Sequence, residues 1–175
     1  MSTIVVYKSK YGSTKKYADW IAEELGCEAI DAKSVKVSDI EKFDTIIYGG
    51  GLYAETINGV ILITKNMDKL EGKKLIVYST GITPLKYHDY YDKLVLEKNF
   101  KPEIRDKIKV YNFMGKMIVD ELTIVHKTAI KTLKKLMKSK ENLTDMEKLL
   151  IELCDANGDF TDREAIKDLV EYAKS

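Results

Sequence analysis

TIVVYKSKYGSTKKYADWIAEEL, residues 3–25, decides how the rest of the chain is read. Ile4, Val5, Val6 and Tyr7 form a short apolar, β-branched run of the kind that makes a buried strand. Ser9-Lys10-Tyr11-Gly12-Ser13-Thr14 follows at once. Tyr17, Ile21 and Leu25 then recur at helical spacing, with Ala18 and Ala22 beside them. A hydroxyl- and glycine-rich turn between strand and helix leaves backbone N–H groups unpaired at the positive end of the helix dipole. That is a site for an anion, phosphate above all. The turn is neither a Walker loop nor a Gly-x-Gly-x-x-Gly dinucleotide turn. Read on its own, it also fits an ordinary βα turn that caps its helix.

The chain has 175 residues, 45% of them apolar and 33% charged, as in a soluble globular protein of one domain over 1–175. Net charge is +1, so there is no electrostatic case for nucleic acid. Met1-Ser2-Thr3 runs straight into a strand without a secretory signal. No uncharged apolar run reaches the ~18 residues of a transmembrane helix. A cytoplasmic location is expected. Cys27 and Cys154 read as reduced thiols, and the two histidines form no Cys/His cluster, so no metal site is expected.

Further strands are predicted over 27–32, 43–49, 73–79 and 107–113. Ser38-Asp39-Ile40 suggests a helical turn, and helices are predicted over 56–67 and 87–100. Gly49-Gly50-Gly51 is read as ending the third strand, its glycines serving close ligand approach or positive φ. Alternating strands and helices predict an α/β fold: a doubly wound, five-stranded parallel sheet in the order 2-1-3-4-5. In such a sheet a ligand sits beyond the carboxyl ends of the strands, at the switch point. Three small, polar loops leave strand ends there: Ser9–Thr14, Gly49–Ala54 and Ser79–Pro84.

The first loop, the strand order and the two later loops together resemble the flavodoxins, over about residues 3–115 plus the last helix. The resemblance implies FMN as cofactor. By it, the backbone of Lys10, Tyr11, Gly12, Ser13 and Thr14 and the hydroxyls of Ser9, Ser13 and Thr14 hold the phosphate. Gly51, Leu52, Tyr53 and Ala54 belong to the loop that flanks the isoalloxazine ring, with Leu52 and Tyr53 against it. Thr80, Gly81 and Ile82 close its other side. Tyr53 also fits a core or partner-facing position.

Between the fifth strand and the last helix lies a helical insertion, about 116–158. Ile118 to Lys140 reads as one long helix with an apolar stripe of Leu122, Val125, Ala129, Leu133, Leu136 and Met137. Lys127, Lys131, Lys134, Lys135, Lys138 and Lys140 cover much of the rest, and no acidic residue occurs from 122 to 140. Such a helix fits an anionic membrane, an acidic partner, or a docked helix with a solvated lysine face. Thr144 with Glu147, and Thr161 with Glu164, are capping-box patterns opening two further helices. Asp155–Asp159 fails the calcium-loop pattern at its sixth and twelfth positions and reads as a turn.

The place of this insertion, followed by Phe160-Thr161-Asp162-Arg163-Glu164, is similar to the flavodoxin-like protoporphyrinogen oxidases. That resemblance implies an FMN-dependent dehydrogenase of heme biosynthesis, with a quinone as acceptor at the membrane face. Redox chemistry through a flavin needs no acid–base pair or nucleophile, and no catalytic residue is singled out. His88 and His126 read as surface and insertion-helix residues. The expected partner is a redox protein or a quinone, with peripheral membrane contact through 118–140. A flavodoxin-fold interaction module without redox activity is the alternative. A response regulator is excluded, because the acidic residues it needs are missing after Tyr7 and Tyr48.

Overall fold

β1 (Thr3–Lys8), α1 (Ser13–Leu25), β2 (Glu28–Asp31), α2 (Val37–Ile40) and β3 (Thr45–Tyr53) open the computed structural model of the chain. It describes residues 2–155 and 157–175, so Met1 of the leader reading and Ala156 of the Asp155–Asp159 turn lie outside the described residues. Next come β4 (Thr56–Ile57), α3 (Ile61–Thr64), β5 (Lys74–Gly81), a π-helical turn at Tyr90–Val95, α4 (Leu96–Asn99), α5 (Pro102–Arg105) and β6 (Ile108–Met114). The chain finishes with β7 (Lys116–Met117), α6 (Ile124–Lys138), α7 (Asp145–Leu153), β8 (Gly158–Asp159), a 3₁₀ turn at Arg163–Ile166 and α8 (Lys167–Lys174).

The sheet order is β2-β1-β3-β5-β6, all pairs parallel, with β4 antiparallel on β3. Counting the five parallel strands alone, this is the 2-1-3-4-5 order expected of the doubly wound α/β fold. The strands read as continuous apolar runs because both faces are covered. Val5, Ile47 and Ile76 pack against Tyr17, Ile21, Leu169 and Val170 of α1 and α8. Ile4, Val6, Ile46 and Val77 pack on the other face against Ile40, Ile63, Val95 and Phe100.

Several expected boundaries move, each for a local reason. β3 continues through its glycines to Tyr53, because Gly49, Gly50 and Gly51 pair with Tyr78, Ser79 and Thr80 of β5. Those glycines make room for neighbours. A Cβ at Gly49 would lie 2.0 Å from the Tyr78 ring, and one at Gly50 would lie 2.6 Å from the Asn58 carbonyl oxygen. None of the three has positive φ; in this loop Ala54 and Glu55, at the tip of the β3–β4 hairpin, are left-handed. That hairpin and Gly59, at φ +77°, reduce the helix expected over 56–67 to α3 alone.

The insertion helix starts six residues late. A 3₁₀ turn at Val119–Glu121 precedes it, and Thr123 is its N-cap. Its apolar stripe is only partly buried: Met137 is 5% exposed, but Val125 is 74%, Leu133 44% and Leu136 60% exposed. The face turned inward carries His126, Ile130 and Met137. α7 opens on the expected Thr144–Glu147 capping box. The second box does not form; Asp162 is the cap, its carboxylate accepting the Glu164 amide, while Thr161 turns to Asp159.

Candidate functional site

The three loops meet where β1, β3 and β5 end. Gly12, at φ +96°, lets the chain turn into α1, and α1 begins without a side-chain cap. Its first amides therefore keep the positive end of the helix dipole uncovered. The space where a Gly12 Cβ would stand is open. Ser9 Oγ accepts the Gly12 N–H at 3.1 Å, which folds the loop on itself. The Ser13 and Thr14 side chains are buried and turned inward. Ser13 Oγ accepts the Lys116 N–H at 2.9 Å, and Thr14 Oγ1 lies 2.7 Å from Thr80 Oγ1. Tyr78 supports the turn from below, its hydroxyl donating to the Thr14 carbonyl at 2.9 Å.

The second and third loops close on each other through Leu52, whose side chain lies against Gly81: a Cβ there would stand 3.3 Å from Leu52 Cδ2. Tyr53 folds back over Gly51 and is half-buried; burial pushes its hydroxyl up to about 12, with Tyr11 adding to the effect. It is therefore a neutral ring at ordinary pH. Gly81 also accepts the Gly115 N–H at 2.7 Å, which joins the ends of β5 and β6 behind Ser13. Thr83, just past Ile82, is buried, and its carbonyl accepts the Tyr91 hydroxyl. Ala54 stands apart, exposed at the hairpin tip with its carbonyl accepting from Lys98 Nζ at 2.7 Å.

Sequence reasoning missed the residues that the insertion brings here. His126 of α6 lies between Tyr11 and Tyr53. Its Nδ1 is 2.6 Å from the Tyr11 hydroxyl, and its ring centroid is 5.2 Å from that of Tyr53. Burial, and then the charge of Lys10, lower its pKa. On the other flank, Gly12, Ser13, Lys16, Lys116, Asp159 and Thr161 line a cavity of about 180 Å³. Lys16 Nζ reaches Asp159 at 3.0 Å and Thr161 Oγ1 at 2.7 Å. These partners are more than a hundred residues apart in the chain. Lysine-rich spacing was the one signal available, and it does not name a partner. His88 is exposed.

Among the described residues, no three His, Cys, Asp or Glu side chains gather as metal ligands, and no helix is long and apolar enough to cross a membrane. What the arrangement offers chemically is an uncapped helix start for an anion beside aromatic rings and hydroxyls for a flat heterocycle.

Comparison with known proteins agrees with this geometry. Residues 4–144 match the flavodoxin domain family. An uncharacterized protein of Methanocaldococcus jannaschii is 31% identical over 116 residues, covering 65% of this chain and 69% of that one. A flavodoxin, WrbA-like protein from Agrobacterium tumefaciens has a similar fold, with a TM-score of 0.50 at 14% identity over 99% of this chain and 98% of that one. A flavodoxin from the domain Archaea gives a TM-score of 0.45 at 15% identity, with 100% of both chains covered.

Proposed function

We propose a function for a chain that belongs to the flavodoxin domain family: it binds FMN and passes electrons through the flavin. The observation that carries this reading is the uncapped start of α1 behind the left-handed Gly12, open to solvent at the ligand edge of the sheet. The residues present fit the cofactor. The amides of Lys10, Tyr11, Gly12, Ser13 and Thr14 and the Ser9 hydroxyl would hold the phosphate. Leu52, Tyr53, Thr80, Gly81 and Ile82 would border the ring. Bound there, FMN would supply one- and two-electron transfer.

The chain's own residues position it. Thr14 and Tyr78 brace the loop from inside, so its amides are set before the anion arrives. Neutral Tyr53 offers a ring face without competing charge. FMN titration followed by flavin fluorescence is the test. Saturable uptake, weakened by Gly12→Val, supports the reading; no uptake overturns it and leaves the interaction module.

Within this reading the narrower activity is oxidation of protoporphyrinogen with a quinone acceptor, in contact with an anionic membrane. Its support is the exposed apolar side of α6 next to Lys131, Lys135 and Lys138. Protoporphyrinogen-dependent reduction of a quinone by the FMN-loaded chain tests it, and a chain inert to both under those conditions is an electron carrier for a protein partner instead.

A further inference from the structure

We propose that His126 is a gate: its imidazole covers the face of Tyr53 that a flavin ring takes, so ring entry requires the first turn of α6 to swing aside. This rests on the FMN reading and adds how the site is guarded.

Two tyrosines hold the gate shut. The Tyr11 hydroxyl lies 2.6 Å from His126 Nδ1 and accepts the Thr123 N–H at 3.3 Å. The same hydroxyl also lies 3.4 Å from Thr123 Oγ1, so Tyr11 ties together the cap residue and the ring of the first turn. The His126 ring meets Tyr11 edge-on at 5.6 Å and lies over Tyr53 at 5.2 Å, with planes tilted by 36°. A flat ring between Tyr53 and His126 would need them roughly 7 Å apart, twice a van der Waals contact of about 3.5 Å. The two rings as they stand exclude it.

Beyond these, the Lys127 ammonium donates to the Asp120 carbonyl at 3.2 Å from an exposed position, and little else holds this turn down. Thr123 makes no side-chain cap, and Ile124 and Val125 are 83% and 74% exposed. The far end of α6 is anchored: Met137 is buried, and Lys134 pairs with Asp155. Before the turn, the Val119 N–H donates to Asn157 Oδ1 at 3.0 Å. The first turn can thus move between two fixed points. A flavin replaces one aromatic contact on Tyr53 with another, so opening sacrifices chiefly the contacts of the Tyr11 hydroxyl with His126 and Thr123.

The test compares FMN affinity in the natural chain and in His126→Ala, with amide hydrogen exchange over residues 119–127. A closed gate lowers apparent affinity by its open fraction. His126→Ala should therefore bind FMN about tenfold more tightly, the worth of roughly one hydrogen bond. His126→Gln, which keeps an acceptor but no ring, should fall between. FMN should also raise exchange across 124–127 in the natural chain. Equal or weaker binding by His126→Ala, or exchange that falls on FMN addition, overturns the gate while the flavin reading stands. No uptake by either protein overturns both.

Discussion

The Thr14 hydroxyl lies 2.7 Å from the Thr80 hydroxyl, and both side chains are buried, at 2% and 6% exposure. The pair ties the first turn of α1 to the end of β5, which are 66 residues apart in the chain. A buried hydroxyl that loses its only partner costs more than the bond itself contributes. Thr14→Val and Thr80→Val should each destabilise by about 1–3 kcal/mol, and the double variant by less than their sum. Urea unfolding of the four proteins checks this; simple additivity would refute a direct bond.

Gly49 is predicted to be intolerant of any side chain. A methyl group there would stand 2.0 Å from Tyr78 Cζ and 2.2 Å from its hydroxyl oxygen. Tyr78 is fully buried and cannot move without releasing the Thr14 carbonyl. Gly49→Ala should cost about 1–3 kcal/mol or more through overpacking. Adding Tyr78→Leu, which lacks the clashing atoms, should recover part of that loss. Denaturant midpoints of the single and double variants decide it.

Acid should loosen the flank of the first loop. Burial alone pushes the Asp159 carboxyl up, but the Thr161 hydroxyl and amide and the Lys16 ammonium outweigh it and hold it at about 2. Its unfolded value is about 3.9, so its contribution to stability is full above that pH. It is then lost as pH falls from about 4 toward about 2. Asp159→Asn should flatten that part of the stability curve, lowering stability near neutrality and converging with the natural chain toward about pH 2. Unfolding midpoints measured across the acid range test the sign.

The outer side of α6 is predicted to carry the membrane contact named above. Leu133 and Leu136 are 44% and 60% exposed and share the helix with Lys131, Lys135 and Lys138. Sedimentation with phosphatidylserine vesicles should fall as salt rises, each lysine near the surface being worth about 1 kcal/mol. Leu133→Ser with Leu136→Ser should weaken it further while FMN uptake is unchanged. Binding that is equal on neutral vesicles would refute the contact.

What the sequence revealed, and what it hid, follows the range of the interactions. The Ile4–Tyr7 run and the turn after it were legible because burial on both faces leaves an unbroken apolar signature. The Thr144–Glu147 cap was legible because its partners are three residues apart. Gly49–Gly51 were not legible as strand because a glycine records missing volume without saying who fills it; the answer is Tyr78 of another strand at Gly49, Asn58 at Gly50 and Tyr53 at Gly51. Periodicity placed Val125, Leu133 and Leu136 on one side of α6, but it cannot say whether anything lies opposite. Tyr11 and His126, 115 residues apart, left no pattern to find.

β7 and β8 pair antiparallel, with Lys116 opposite Asp159 and Met117 opposite Gly158. The chain thus leaves the sheet and returns to it through one stitched doorway. Whatever lies beyond can be exchanged as a cassette, with a short turn from Met117 to Gly158 in its place. What reaches the ligand edge through α6 can then change while the five parallel strands keep their order.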